Sequence, residues 1–413
     1  MVDLKEALKH PDRFLFLDIE TTGLSPVYDI ITVIGYDSGK KFSYVLHGEP
    51  IDGFVKALSK AHAIVTFNGT LFDTKFIKRH FPNVVFPEHH IDLRYIMRRV
   101  GYTGGQKQIE RDLGLSREES VSKVTGYEAV ILWHEYRRGD KGALKKLLSY
   151  NHADVQGMKE MLKFALQELG HIEHEKIAPV STYKHREAMV DVAPPAPKVY
   201  AKDLWKRVKD KRTIVGIDIT GSELRPSGFA LLSADNSVET SQLWTDKEIV
   251  DACVKANCSI VSIDSPLGIP KGRTMVTDDD PRRWEIGIMR WSERELKRRG
   301  VNVYPCLIPS MQRLTARGMK LAKALRKKEI VVIESYPGAA QDIMQIPRKH
   351  AGLPYLKSGL HEFGIKKGRW YEEKVSHDEL DAITSAIVGL FYLAGKYEAL
   401  GNDDEEYLVI PKI

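Results

Sequence analysis

Cysteine is scarce in this 413-residue chain: Cys253, Cys258 and Cys306 are its three, and no CxxC pair is among them. That excludes a disulfide-stapled scaffold, and an odd count suits a reducing compartment. Long apolar runs are missing as well. No window approaches the roughly 18 uninterrupted apolar residues of a membrane helix. Residues 1–11 are charged and lack the apolar core of a signal peptide. A cytoplasmic protein is the simplest expectation. Charge of one sign is only slightly in excess: Lys+Arg 62 against Asp+Glu 56 leaves +6, which admits a polyanionic partner without requiring one. What is there is 43% hydrophobic and 29% charged, the profile of a soluble globular protein. The length exceeds one ordinary core, so two domains of roughly 150–200 residues each are expected.

Residues 14–24 read as an apolar strand that ends in two carboxylates, Asp18 and Glu20. Residues i and i+2 of a strand point to the same face, so both acids project together. Neighbouring carboxylates repel and are costly to hold together without a cation. The Thr21-Thr22-Gly23 turn that follows supplies small polar groups. Residues 29–36 and 41–47 are rich in β-branched and aromatic side chains and are separated by a hairpin-like turn. A helix over 54–61 and a buried strand over 63–67 complete the order in which a mixed α/β sheet is laid down.

That last strand ends in Asn68-Gly69-Thr70-Leu71-Phe72-Asp73. Asp73 is either an N-cap or an acid brought beside Asp18 and Glu20, because adjacent strand ends of such a sheet converge on one crevice. Asp92, entering the next helix, reads as a cap. Helical periodicity covers 106–113, 127–138 and 141–169. In the last of these, Tyr150 and Asp154 stand at i and i+4, with a phenol beside a carboxylate on one face. A plain Tyr–Asp contact is the alternative.

The ordered set Asp18-Ile19-Glu20-Thr21-Thr22-Gly23, Asn68-x-x-x-Phe72-Asp73 and Tyr150-x-x-x-Asp154 resembles the DEDD superfamily of 3′–5′ exonucleases, in its Tyr-bearing subclass. More closely, residues 1–170 resemble the YprB-type ribonuclease H-like domain, including His90-Ile91-Asp92-Leu93 and Tyr150-Asn151-x-x-Asp154-Val155. The resemblance implies two-metal phosphodiester hydrolysis with Mg²⁺ or Mn²⁺ on hard oxygen ligands. Asp18 would bridge both ions, Glu20 and Asp154 would complete the nucleophile-side ion, and Asp73 would serve the second. Tyr150 would orient the attacking water, and Asn68 and Phe72 would position the terminal nucleotide of a nucleic acid with a single-stranded 3′ end.

Periodicity fades over 171–212, which reads as a linker. His171, His174 and His185 lack Cys partners and are irregularly spaced, and the Pro-rich run at 193–197 is stiff and extended. From residue 213 the pattern of elements begins again. Asp218 lies on a first strand, and Asp264 ends a fourth at Asp264-Ser265-Pro266-Leu267-Gly268. Glu334 ends another at Glu334-Ser335-Tyr336-Pro337, and Asp378 and Asp381 share a face of a long final helix. Ser376 reads as that helix's cap. Asp381 sits inside an apolar stripe, where a buried carboxylate needs a partner.

These motifs resemble a family of predicted ribonuclease H-like nucleases, with an acid layout similar to RuvC-type junction resolvases. The resemblance implies a second ribonuclease H-like domain over 213–413, so that the chain would be α/β with two mixed five-stranded sheets flanked by helices. Asp218, Asp264, Asp378 and Asp381 would hold metal, with Glu334 as a further candidate. Residues 269–328 interrupt this half and carry sixteen Lys/Arg against six Asp/Glu, Arg282-Arg283 among them, with Trp284 and Trp291 interleaved. That mixture suits phosphate contacts and base stacking, or else a solvated helix pair. The acidic tail at 402–406 is expected to be exposed. Two other functions stay open: a nucleic-acid-binding or regulatory protein with silent sites, and an actin-like or sugar-kinase-type phosphate loop at residues 216–222, for which no second phosphate loop is found.

Overall fold

The computed structural model describes residues 4–39, 41–173 and 199–413. His174, His185 and the Pro-rich run at 193–197 lie outside them. Chain contacts divide the protein into two compact units, Met1–Pro195 and Ala196–Ile413.

The sheet of the first unit runs β3-β2-β1-β4-β5, with β1 Phe14–Thr21, β2 Ile31–Asp37, β3 Phe42–Leu46, β4 Ala63–Thr66 and β5 His89–Asp92. β1 is antiparallel to β2 and parallel to β4. Being central, it is covered on both faces, which explains its continuous apolar run. Its alternation sorts the two faces. Leu15, Leu17 and Ile19 join Phe54, Leu58, Phe76 and Ile77 from the helices Asp52–Lys60 and Asp73–His80. Phe14 and Phe16 meet Val155, Met158 and Leu162 of the 28-residue helix Lys141–Glu168. Asp18 and Glu20 continue the Phe14–Phe16 row and so face that long helix. Asp140 caps the helix by accepting the Gly142 and Ala143 N–H groups, and each fully buried aliphatic or aromatic side chain contributes about 1.5–3 kcal/mol to this packing.

The sheet of the second unit has seven strands rather than the expected five, in the order β11-β12-β10-β9-β6-β7-β8. These are β6 Ile214–Asp218, β7 Ser227–Leu232, β8 Val238–Leu243, β9 Ile260–Asp264, β10 Val332–Ser335, β11 Tyr397–Asn402 and β12 Glu406–Pro411. The run β8-β7-β6-β9-β10 repeats the order and directions of β3-β2-β1-β4-β5. The hairpin β11–β12 extends it by pairing with β10, so residues 402–406 form a hairpin turn and not a free tail. Glu405 is buried there because it accepts the Lys271 and Trp291 N–H groups at 2.9 and 2.7 Å. The expected linker also ends sooner: Ala201, Leu204, Trp205 and Val208 pack into the core of the second unit.

The helix His377–Leu393 lies directly on this second sheet. A side chain at Gly216 would overlap the backbone of Ala382 and Ala386, and one at Gly228 would overlap Asp378. Two strand glycines thus admit the helix backbone to close range. Ser376 and Glu379 form its capping box. Among the described residues, no helix is long and apolar enough to cross a membrane.

Candidate metal centres

In the first unit, the strand row and the long helix bring Asp18, Glu20 and Asp154 together. One ligand oxygen from each lies within 4.8 Å of the others. Glu20 and Asp154 are buried and Asp18 is partly so. Burial, then the charges of Asp154, Glu20 and Asp73, hold the Asp18 carboxyl well above the usual carboxylate range, while Arg117 pulls the other way. Burial and Asp154 also push Glu20 up, against the Asn151 hydrogen bond and Lys107.

Asp73 begins its helix but is not its cap, since Phe72 holds that position without a side-chain bond. Its carboxylate instead reaches back to accept the Ile19 N–H at 3.1 Å, between the two acids of β1. Burial pushes its pKa up to about 7, opposed by backbone N–H bonds and helped by Asp92 and Asp154. Asp92 is the helix cap, accepting Arg94 N–H at 3.1 Å, and also binds the N–H groups of Asn68 and Thr70 at 2.8 and 3.0 Å. Asn68 takes the left-handed backbone (φ 64°), and its side-chain oxygen accepts from Arg94 at 2.7 Å. Phe72 is half-buried against Phe76.

The Tyr150 phenol is buried, and burial followed by Asp154 raises its pKa, so it remains a neutral O–H. Lys107 Nζ stands 4.2 Å from the centre of its ring. Asn151, the next residue, stands in the Tyr150-Asn151-x-x-Asp154-Val155 motif, which assigned it no role. Its Nδ2 donates to Asp18 Oδ2 at 2.8 Å and approaches Glu20 Oε1 at 3.4 Å. Gly35 on β2 makes room for it, because a methyl there would overlap the Asn151 amide. Arg117 was also not singled out: its Nη2 donates to Asp154 Oδ1 at 2.6 Å and its Nε pairs with Glu110. Burial disfavours its charge, but Asp154 and Glu110 more than offset that and raise its pKa. The motif marked Asn151 without naming its partners on β1. Arg117 lies in a turn-rich stretch with no local signal.

In the second unit, Asp218 and Asp264 stand opposite each other in the β6–β9 register, and Ser335 continues the row on β10. Asp218, His377 and Asp378 each place a ligand atom within 4.8 Å of the others. His377 Nδ1 lies 2.8 Å from Asp378 Oδ1. Burial, then Asp264, Asp381 and Asp378, push Asp218 up, and Lys349 opposes them. Asp264 is raised by burial and Asp381 against Lys349. The partner that buried Asp381 requires is double: Lys349 Nζ at 2.9 Å and Gln341 Nε2 at 2.9 Å.

Glu334 has no free oxygen to offer. Buried Arg290 binds both its oxygens, and the Leu267 N–H adds a third bond at 2.7 Å. It is a structural anchor within the strand. Arg282 forks onto Glu285 at 3.0 and 3.2 Å. Arg283 lies 4.1 Å from the centre of the exposed Trp284 ring and 3.9 Å from Asp278.

Residues 15–166 match the model of the RNase H superfamily. No curated protein matches the chain. Among solved structures, one described as the apo form of a nuclease is 18% identical over 42% of this chain and 82% of its own, with a TM-score of 0.30. Escherichia coli RNase D, an exoribonuclease involved in structured RNA processing, is 15% identical over 41% of this chain, at a TM-score of 0.30. The family B DNA polymerase from Pyrobaculum calidifontis is 13% identical over 97% of this chain, at a TM-score of 0.31. The chain spans 44% of the former and 53% of the latter. With its strand order, its acid row and this family match, the first unit carries a ribonuclease H-like domain.

Proposed function

We propose that the protein is a metal-dependent nuclease whose first unit acts as a 3′–5′ exonuclease. One observation carries the reading: Asp18, Glu20 and Asp154 converge within 4.8 Å in a domain of ribonuclease H type. Divalent metal fits this donor set. All three groups are hard oxygens, and the two strand acids are held above their usual range by burial and mutual repulsion that a cation would relieve. Asp18, Glu20 and Asp154 would hold Mg²⁺ or Mn²⁺, and Asp73 would serve a second position. Bound there, the ions would supply a hydroxide at neutral pH and stabilise charge on the phosphate.

The protein's own groups do the rest. Asn151 fixes the Asp18 and Glu20 carboxylates in place. Tyr150, a neutral phenol beside Asp154, donates its O–H to orient the attacking water. Arg117 holds Asp154 in one rotamer. Asn68, kept in place by Arg94, and Phe72 position the last nucleotide at the end of β4. The second unit is a further nuclease centre or a substrate platform. Asp218 and Asp378, joined by His377, would hold a metal there, with Asp264 and Asp381 beside them. Arg282, Arg283 and exposed Trp284 offer charge and stacking to the nucleic acid.

Digestion of end-labelled DNA and RNA oligonucleotides with Mn²⁺, by the wild type, Asp18→Ala and Asp218→Ala, tests the reading. Mononucleotide release lost only in Asp18→Ala assigns the exonuclease to the first unit. Full release by Asp18→Ala would sink it.

A further inference from the structure

A cavity of about 310 Å³ opens in the second unit, alongside the acid row. Small-molecule sites span about 300–1,000 Å³, so this one suits a single small ligand and is far too small for a duplex. Its walls carry acids, cations, aromatics and apolar groups. Asp264 and Asp381 form one edge with Lys349, whose Nζ lies 2.9 Å from Asp381 Oδ2. Tyr304 and Tyr336 also line it, Met311 and Leu314 are among its apolar residues, and Arg348 and the paired Arg290 and Glu334 are among its charged ones.

Two features indicate that the cavity is built to be filled. Ser335 lines it from β10, directly across the strand register from Asp264. Its hydroxyl is buried and has no hydrogen-bond partner among the described residues. Buried hydroxyls are almost always paired, because leaving one unpaired is costly; a ligand with a polar group beside Asp264 would supply the partner. The second feature is Tyr304, a cavity-lining aromatic that is 66% exposed. Among the described residues it forms no ring contact or hydrogen bond of its own, unlike Tyr336, whose hydroxyl donates to Asn302 O at 2.7 Å.

We propose that this cavity holds one nucleoside monophosphate unit, with its base against Tyr304, a sugar hydroxyl on Ser335, and its phosphate toward Lys349 and Arg348. The row Asp218, Asp264, Ser335 then runs from the candidate ligands to the pocket across three neighbouring strand ends. An acid edge, the cations Lys349 and Arg348, and an apolar slot with an aromatic at its mouth are what a nucleotide presents in complement: hydroxyls, a phosphate and a stacking face. This inference rests on the reading of the second unit as a centre that handles nucleic acid. The unit bound is the end of a chain or a free nucleotide.

Calorimetric titration of the full chain with AMP, CMP, GMP and UMP in Mg²⁺, with ribose 5-phosphate alongside, tests the pocket. The nucleotides should bind and ribose 5-phosphate should bind at least tenfold more weakly, since it lacks the stacking base. Tyr304→Ala, at an exposed position, should weaken nucleotide binding by roughly tenfold, and Tyr304→Phe should restore it. Absence of nucleotide binding, or equal affinity in Tyr304→Ala, overturns the inference.

Competition with a linear pentanucleotide and its circular form separates the two sources. Displacement of AMP by the linear form alone identifies a chain end, and displacement by neither identifies a free nucleotide. Equal displacement by both forms overturns the pocket. Cleavage that depends on Asp218, without nucleotide binding, removes the pocket and leaves the nuclease reading intact. Nucleotide binding without such cleavage removes nuclease activity from the second unit and leaves the pocket.

Discussion

Replacing Asp73 by asparagine should flatten the pH dependence of the first unit's stability. In the folded chain the Asp73 carboxyl titrates at about 7, against an ordinary value of 3.8, mainly because it is buried. Between those two values the folded state holds a proton that the unfolded state has lost. Stability from this group is therefore full below about 3.8 and declines as pH rises through about 7. Each unit is worth about 1.4 kcal/mol, so the whole window amounts to about 4 kcal/mol. Between pH 5 and 8 the loss is about 2–3 kcal/mol. Asp73→Asn keeps the shape and removes the titration. Hydrogen exchange of metal-free protein, read on peptides from β1 and from the helix Lys141–Glu168, isolates the first unit from the second. The wild type should lose protection between pH 5 and 8, after correction for intrinsic exchange, and the variant should lose about 2–3 kcal/mol less. Mn²⁺ at pH 8 should restore protection in the wild type, because an ion that binds only the folded state stabilises it. Parallel pH profiles for the two proteins would refute the argument.

Asp18→Ala and Asp154→Ala should each abolish metal-dependent cleavage while circular dichroism stays native; full activity in either would remove the assigned roles. Gly35→Ala should destabilise the first unit by about 1–3 kcal/mol, because the added methyl overlaps the Asn151 amide. It should also weaken Mn²⁺ binding in a titration, since Asn151 orders both strand acids. Arg290→Leu should cost the second unit about 3–5 kcal/mol in urea unfolding, because Glu334 and Glu293 would be left buried without their cation.

Local periodicity carried much of the first site. Alternation along residues 14–21 places Asp18 and Glu20 on the face that Phe14 and Phe16 bury against the long helix, and 3.6-residue periodicity places Tyr150 and Asp154 together on that helix. The capping box at Ser376 and the cap at Asp92 were legible for the same reason: each is an interaction among residues close in the chain. Asp73 was not settled locally. An acid at the start of a helix looks the same whether it caps that helix or reaches across to Ile19, and only the neighbouring strand distinguishes the two.

Other parts depend on long-range pairing. Asn151 meets β1 across more than a hundred residues, and Arg117 reaches Asp154 from a stretch without strong periodicity. Glu334 resembled a metal acid in its motif, yet Arg290, far away in the basic insertion, occupies both its oxygens. The edge hairpin β11–β12 was hidden because its acidic turn carries the composition of an exposed tail, while the burial of Glu405 comes from N–H groups more than a hundred residues away. By itself, then, the amino-acid order determined the strands and helices around the two acid rows and the faces on which the acids project, since these follow from backbone periodicity. Which acids converge, which are neutralised by a distant arginine or lysine, and where a cavity remains were decided only by the tertiary structure, because those outcomes depend on contacts between elements that no local pattern encodes.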